Sequence, residues 1–402
     1  MNGRAIVLLT RPEAASNRVA GMSLIERVLR TASSTGSEVV VTGHDPSAMS
    51  ALGDRSGVRF EAPDRLLATL SEDDVPATLW LGHHVYDRRV AAALQEHAAG
   101  RDSAGLGQAL LLTRNDVAAG VISAADPEAA LYAAVAAAPQ LPQRLAPAAA
   151  SIDASSDAGA IAAAAALWQS CRKPIDGYVS RHLNRHVSLA ISRRIVDTSI
   201  TPNHVSALCI ALGILSGVIA AQGGYACLVA GATLFKLNSI LDGVDGELAR
   251  VRWAYSKLGE LLDSAGDNVA NFSFFGGVAV ASLRAGQHGL ATAGLVGLSL
   301  WAVYLVFLYS RLSGSGRGDV MLVRTSLDGM RSPLVHGLLA LGRKLLRRDS
   351  FVMVSFMAAV LGHAPYLSLM ILAGGSTVFA FTVLHFAARW LRPVGALEVD
   401  SR

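Results

Sequence analysis

Residues 242–267 read DGVDGELARVRWAYSKLGELLDSAGD and contain four aspartates: Asp242, Asp245, Asp263 and Asp267. Asp242 and Asp245 are three apart, and Asp263 and Asp267 are four apart. Each pair therefore shares one face of a helix. Apolar runs long enough to cross a bilayer flank the stretch on both sides. A carboxylate inside a membrane helix is costly and marks function by default. Four converging carboxylates repel, and some would protonate, unless a cation holds them. Oxygen-only ligand sets favour Mg²⁺, Mn²⁺ or Ca²⁺ over zinc. Two divalent ions shared by carboxylates suit chemistry on phosphates. Gly246 and Gly259 leave room for a ligand or a neighbouring backbone, and Arg250 could grip a phosphate. A blander reading pairs the acids with Arg250, Arg252 and Lys257 at a wet helix end. Helical spacing of all four acids, with glycines in register, argues against it.

These residues need helices to hold them. Apolar segments lie at about 203–221, 225–249, 257–283, 288–311, 350–364 and 366–389, and most reach the roughly 20 residues a span requires. The turn at 250–256 folds the third segment back on the second, so the aspartates can converge between antiparallel helices. Lys and Arg crowd the segment before the first span and the loop 312–349, and are sparse at 222–224, 284–289 and 363–365. This asymmetry puts both termini and the aspartates on the cytoplasmic side of the inner or cell membrane. Residues 171–203 interleave arginines with apolar side chains, the pattern of a helix lying in the membrane interface.

The first part differs in kind. Residues 1–165 carry 13 Lys plus Arg against 18 Asp plus Glu, whereas the remainder carries 22 against 13. With 52% hydrophobic residues overall and a mean hydropathy of +0.40, the chain reads as an acidic soluble domain joined to a basic membrane domain. Short apolar runs at 4–10, 38–43, 58–62, 77–82 and 109–113 alternate with helical patterns at 22–34 and 88–99, which implies an α/β sheet with much parallel pairing. The Ala-rich stretch 146–166 reads as a helical linker. The expected organisation is an N-terminal α/β domain over 1–150, a linker with an interfacial helix over 151–201, and an all-α six-helix transmembrane domain over 202–392. Cys171, Cys209 and Cys227 form neither a metal spacing nor a disulfide framework. The N-terminus lacks the pattern of a signal peptide, and nucleic acid is not an expected partner.

The aspartate stretch resembles the signature of the CDP-alcohol phosphotransferase (phosphatidyltransferase) family, D-x2-D-G-x2-A-R-x8-G-x3-D-x3-D. All eight fixed positions match: Asp242, Asp245, Gly246, Ala249, Arg250, Gly259, Asp263 and Asp267. The resemblance extends over roughly 171–392 and includes the six-span layout. It implies cleavage of the pyrophosphate of a CDP-linked alcohol and transfer of the phospho-alcohol to an acceptor hydroxyl, with release of CMP. Such chemistry serves phospholipid or polyol-phosphate synthesis. It further implies that two Mg²⁺ or Mn²⁺ ions are held by Asp242, Asp245, Asp263 and Asp267, with Asp267 also the general base. Gly246, Ala249, Arg250, Ser256 and Gly259, together with Pro202 and Asn203, would line the CDP moiety. The family is usually dimeric, so a homodimer is expected. Lys236, an intramembrane cation, and Arg311, at the end of the fourth segment, are candidates to meet an acceptor phosphate.

Residues 19–43 resemble part of the nucleotidyltransferase fold that makes CDP- and UDP-sugars. The stretch in place of that fold's Gly-rich loop, LLTRPEAASNRVAG, has no G-x-G, and no lysine occurs before Lys173. The groups that hold a triphosphate are thus missing, and the domain reads as a degenerate, Rossmann-like scaffold. His83 and His84, in WLGHHVYD, read as structural strand-end histidines rather than as a metal pair. The layout is similar to bifunctional enzymes that make CDP-inositol and join it to inositol phosphate. Two rivals remain. A cation transporter would spread its acids along the bilayer normal, and a non-catalytic anchor would have let the signature erode.

Overall fold

The computed structural model describes residues 4–11, 13–14, 17–34, 38–42, 58–72, 77–86, 90, 104–106, 109–112, 121–137, 151–173, 176–315 and 347–390. The chain divides into two compact units: the first is 1–173 with 192–200 and 247–254, and the second is 174–191, 201–246 and 255–402.

In the first unit, β1 (Arg4–Leu8), β4 (Glu38–Thr42), β5 (Val58–Phe60), β6 (Ala77–Leu81), β8 (Ala104–Leu106) and β9 (Ala109–Leu112) form one sheet in the order β5-β4-β1-β6-β9-β8. The four strands β5, β4, β1 and β6 run parallel, β9 pairs antiparallel with β6, and β8 pairs antiparallel with β9; β2 (Arg18–Val19) and β3 (Met22–Ser23) form a separate antiparallel pair. Near-continuous apolar strands such as AIVL fit a sheet buried on both faces. One face packs on α1 (Leu24–Ser33) through Ile25, Val28 and Leu29. The other packs Leu66 of α2 (Pro63–Glu72) and Leu131 of α3 (Pro127–Ala137) against Ile6 and Leu79. The five expected strands and the first helix are present, while the helical pattern at 88–99 lies, apart from Val90, outside the described residues.

The stretch expected as a linker helix is different. Residues Ser151–Asp153 form β10, which pairs antiparallel with β7 (His84–Tyr86), and only then does α4 (Asp157–Ser170) begin. Ser156 caps α4 by accepting a hydrogen bond from the Gly159 amide. An Ala-rich composition reports helix propensity but carries no information about a three-residue strand that a distant partner induces.

The second unit is helical. A π-helical turn (Ser180–Asn184) leads into α5 (Arg185–Ile195). Then come α6 (Pro202–Ala220), α7 (Gly224–Val251), α8 (Lys257–Arg284), α9 (His288–Ser315), α10 (Arg348–Val360) and α11 (Leu367–Trp390). Among the described residues, α6, α7 and the His288–Phe307 part of α9 are long and apolar enough to cross a membrane. The expected break near 363–365 is a 3₁₀ turn at Ala364–Tyr366. Most of the expected loop 312–349 lies outside the described residues, but its last two positions do not belong to a loop: Arg348 and Asp349 open α10.

Small residues let these helices touch. A Cβ at Gly277 would collide with the Gly217 carbonyl where α8 crosses α6, and one at Gly375 would collide with the Gly297 carbonyl where α11 crosses α9. Close backbone contact of this kind is the main source of helix association where the surroundings are as apolar as the side chains. Beside these crossings Phe235, Phe274 and Phe275 form a buried aromatic cluster, with the Phe235 and Phe274 rings stacked at 4.5 Å.

Candidate active site

The site begins with the two helices that carry the aspartates. Ser256 caps α8, its hydroxyl accepting from the Gly259 amide at 2.9 Å. Trp253, in the turn between α7 and α8, adopts a positive φ of 51°. Gly259 is tight for a reason: a Cβ there would lie 2.9 Å from Ser256 Oγ and 3.0 Å from Asn203 Oδ1. Asn203 belongs to the first turn of α6, where Thr201 makes a capping box with His204 and Pro202 takes the first helical position. The TPN preceding the first apolar segment is therefore a helix start that also packs against the start of α8.

One carboxylate oxygen from each of Asp242, Asp245 and Asp263 lies within 4.8 Å of the others. Asp245 is 5% exposed and accepts from Ser206 Oγ at 2.6 Å and from the Gly246 amide at 2.5 Å. Asp242 is half-buried and Asp263 exposed. Three carboxylates this close, with oxygen donors only, suit a hard divalent cation, and Asp242, Asp245 and Asp263 would hold it. Asp267 joins the cluster through Arg348, whose guanidinium contacts both Asp242 (2.8 Å) and Asp267. Arg348 is itself held by Asn238, whose Oδ1 accepts at 2.7 Å while its amide donates to the Cys209 carbonyl at 2.5 Å.

Arg348, Ser206 and Asn238 were not evident in the sequence. Arg348 looked like one of several loop cations, and its distance from the aspartates in the chain, 81 residues beyond Asp267, concealed the pairing. Ser206 and Asn238 did leave a signal: each is a polar residue within an otherwise apolar helix, where an unpaired group is expensive.

The blander pairing with nearby cations does not describe Arg252. Its guanidinium donates to the carbonyls of Ile195 (2.7 Å), Val196 (2.8 Å) and Thr198 (2.9 Å). Arg27 of α1 donates to the Val251 carbonyl at 2.6 Å and to the Val19 carbonyl at 2.7 Å, all three residues belonging to the first unit. Burial lowers the Arg27 guanidinium to about 10. Gly246, Ala249 and Arg250 follow the aspartates along α7, and Arg250 Nε is buried without a hydrogen-bond partner among the described residues. Such a donor is available to an anionic ligand.

Lys236, on α7, is 7% exposed and donates to Asn184 Oδ1 at 2.8 Å. Next to Asn184 in the chain, Arg185 pairs with Asp176 at 2.9 and 3.0 Å. Asp349, next to Arg348, accepts from the Ser180 amide at 2.9 Å. Arg311 lies within α9, with its side chain outside the described residues.

Comparison with known proteins supports the same region. Residues 199–388 match the family described as CDP-alcohol phosphatidyltransferase. A bifunctional IPC transferase and DIPP synthase of Aquifex aeolicus is 41% identical over 105 residues, 26% of this chain and 23% of that protein. A protein of the same description from Rubrobacter xylanophilus is 35% identical over 175 residues, 42% of this chain and 39% of that one. The CDP-diacylglycerol–serine O-phosphatidyltransferase of Mycobacterium leprae is 31% identical over 156 residues, 37% of this chain and 50% of that protein. The matches thus span half or less of each relative's length.

Proposed function

We propose, from the match of residues 199–388 to the CDP-alcohol phosphatidyltransferase family, that this chain transfers a phospho-alcohol group from a CDP-alcohol to an acceptor hydroxyl and releases CMP. The observation that carries the reading is the convergence of Asp242, Asp245 and Asp263 from two helices, with Asp267 joined to them through Arg348. Asp242, Asp245 and Asp263, with Asp267, would hold Mg²⁺ or Mn²⁺, which would supply the positive charge that the pyrophosphate and the departing CMP require. Asp267 takes the proton from the acceptor hydroxyl, whose oxygen attacks the β-phosphorus of the donor. Ser206 keeps Asp245 oriented. Gly246, Ala249, Arg250, Ser256, Gly259, Pro202 and Asn203 line the CDP moiety, with Arg250 Nε as the free donor.

The acceptor is a polyol phosphate in this reading. Arg348 supports it, because its guanidinium touches the proposed base and is the kind of group that recognises an anionic phosphate. Lys236 and Arg311 are further candidates for that phosphate. The names of the Aquifex and Rubrobacter relatives fit this choice, whereas that of the Mycobacterium relative fits a CDP-diacylglycerol donor. The helical unit spans the bilayer six times, with both termini and the site cytoplasmic, and works as a homodimer. The α/β domain is a Rossmann-like scaffold without nucleotidyl transfer. It is followed by a connecting segment and an interfacial helix up to residue 201, and the membrane domain covers 202–392.

The test is CMP release by the purified chain in Mg²⁺ or Mn²⁺, across soluble and lipid CDP-alcohols paired with phosphorylated and free polyols. Release that needs a phosphorylated acceptor and is lost in Asp267→Asn supports the proposal. Absence of CMP with every pair, or full activity in that variant, would refute it.

A further inference from the structure

A second cluster of ligand-type side chains lies in the first unit. β1 and β6 are adjacent and parallel, with Leu8 opposite Leu81. Thr10 and Arg11 after β1, and His83 and His84 after β6, therefore leave the sheet at the same edge. The chain runs from β1 outward to β4 and β5, then crosses to β6 on the other side. A crevice opens at such a reversal, on the carboxyl ends of the strands. β10 pairs with β7 in a register that sets Asp153 opposite His84. α3 adds Glu128 and Tyr132, one helical turn apart.

One ligand atom from each of His83, His84 and Asp153 lies within 4.8 Å of the others. The histidines are 1% and 4% exposed. Each has one ring nitrogen near a hydroxyl: His83 Nδ1 is 3.3 Å from Thr10 Oγ1, and His84 Nε2 is 3.3 Å from Tyr132 Oη. The opposite nitrogens, His83 Nε2 and His84 Nδ1, are buried with no hydrogen-bond partner among the described residues. A buried His84 nitrogen without a partner, beside a His83 nitrogen met only by the Glu128 carboxylate at 3.5 Å, costs free energy unless something occupies the pocket. A hydroxyl or carboxylate on the far ring nitrogen is the arrangement that orients a metal-ligating imidazole.

Charge completes the case. Glu128 Oε1 is 3.5 Å from His83 Nε2 and is anchored by Arg11 at 2.8 Å and Tyr132 at 3.1 Å. Arg11 also reaches Asp153 at 3.3 Å. The two carboxylates, Glu128 and Asp153, outnumber the one guanidinium, Arg11, and leave negative charge that a cation would offset. Mixed nitrogen and oxygen ligands select late first-row metals over Mg²⁺.

We propose that His83, His84 and Asp153, backed by Glu128, form a transition-metal site of the Zn²⁺ class at the carboxyl edge of the α/β sheet. It differs in ligand chemistry from the aspartate cluster and does not depend on the phosphotransfer reading.

The test uses the full-length chain, purified in detergent, stripped with a chelator and titrated with Co²⁺ as a visible probe. The expected result is stoichiometric uptake with the absorption of nitrogen-ligated Co²⁺, displaced by equimolar Zn²⁺ but not by excess Mg²⁺. That absorption should disappear in His83→Ala and His84→Ala, and Asp153→Asn should weaken binding by more than about tenfold. Asp242→Asn should leave it intact. No Co²⁺ absorption in the wild type, displacement by Mg²⁺, or survival of the signal in both histidine variants would overturn the site. If a histidine variant fails to fold, Asp153→Asn, whose side chain is 41% exposed, and the wild-type competition decide the matter.

Discussion

The aspartate cluster in the helices and the histidine cluster at the sheet edge make an instructive pair. Each gathers three ligand-type residues within 4.8 Å, but they are assembled in opposite ways. The first is nearly local: two helices joined by a short turn bring together residues drawn from 242–267. The second takes residues 83, 84 and 153 and relies on a cross-strand pairing between segments about 70 residues apart. The first offers only carboxylate oxygen and lies in a region of apolar helices. The second offers imidazole nitrogen at the edge of an α/β sheet. Local assembly leaves a pattern in the chain, whereas assembly by strand pairing does not.

The largest effect that could break the comparison is at the proposed base. Asp267→Asn should lower CMP release by about 10²–10⁴-fold, the usual contribution of a positioned general base, and leave Co²⁺ uptake by the histidine cluster unchanged. Steady-state CMP assays and Co²⁺ spectra on one preparation would check both halves. If the two readouts fall together, the clusters are not separate sites.

Next is Arg348→Ala. Loss of a charge-assisted partner of Asp242 and Asp267 is worth about 1.5–3 kcal/mol, or roughly 10–100-fold in turnover per acceptor. The loss should be larger for a phosphorylated acceptor than for a free polyol. Arg348→Lys should restore charge without the fork that reaches both carboxylates. Equal loss with both acceptors would reduce Arg348 to a structural counter-ion.

Metal removal should separate the clusters by stability. Zn²⁺ at a hundredfold excess over its dissociation constant stabilises the state that binds it by about 2.7 kcal/mol, which is several degrees in the melting of a unit this size. Chelation should lower the melting of the wild type and leave that of His84→Ala unmoved, as followed by scanning calorimetry. The smallest effect is expected from Ser206→Ala. Removing one hydrogen bond from Asp245 costs about 1 kcal/mol, and the Mg²⁺ or Mn²⁺ concentration for half-maximal activity should rise roughly fivefold.

Legibility followed the range of the interactions. Strands such as AIVL and EVVVT, and α1 with Leu24, Ile25, Val28 and Leu29 on its buried side, were readable because burial imposes a period on each segment alone. The apolar helices were readable for the same reason, and so was the break before α11. β10 was not, because a short strand in an Ala-rich stretch is fixed by its partner. Arg348 was not, because nothing in RRDS distinguishes the arginine that enters the helical unit from its neighbours.

The sequence by itself determined which residues face together on each helix, the eight-position signature from Asp242 to Asp267, and the division into an acidic α/β part and an apolar helical part. These follow from composition, periodicity and spacing, all properties of neighbours along the chain. Only the tertiary structure decided that Arg348 meets Asp242 and Asp267, that Ser206 orients Asp245, and that Asp153 stands opposite His84. Each of those contacts joins distant segments, and the geometry that creates it exists only once helices cross or strands pair.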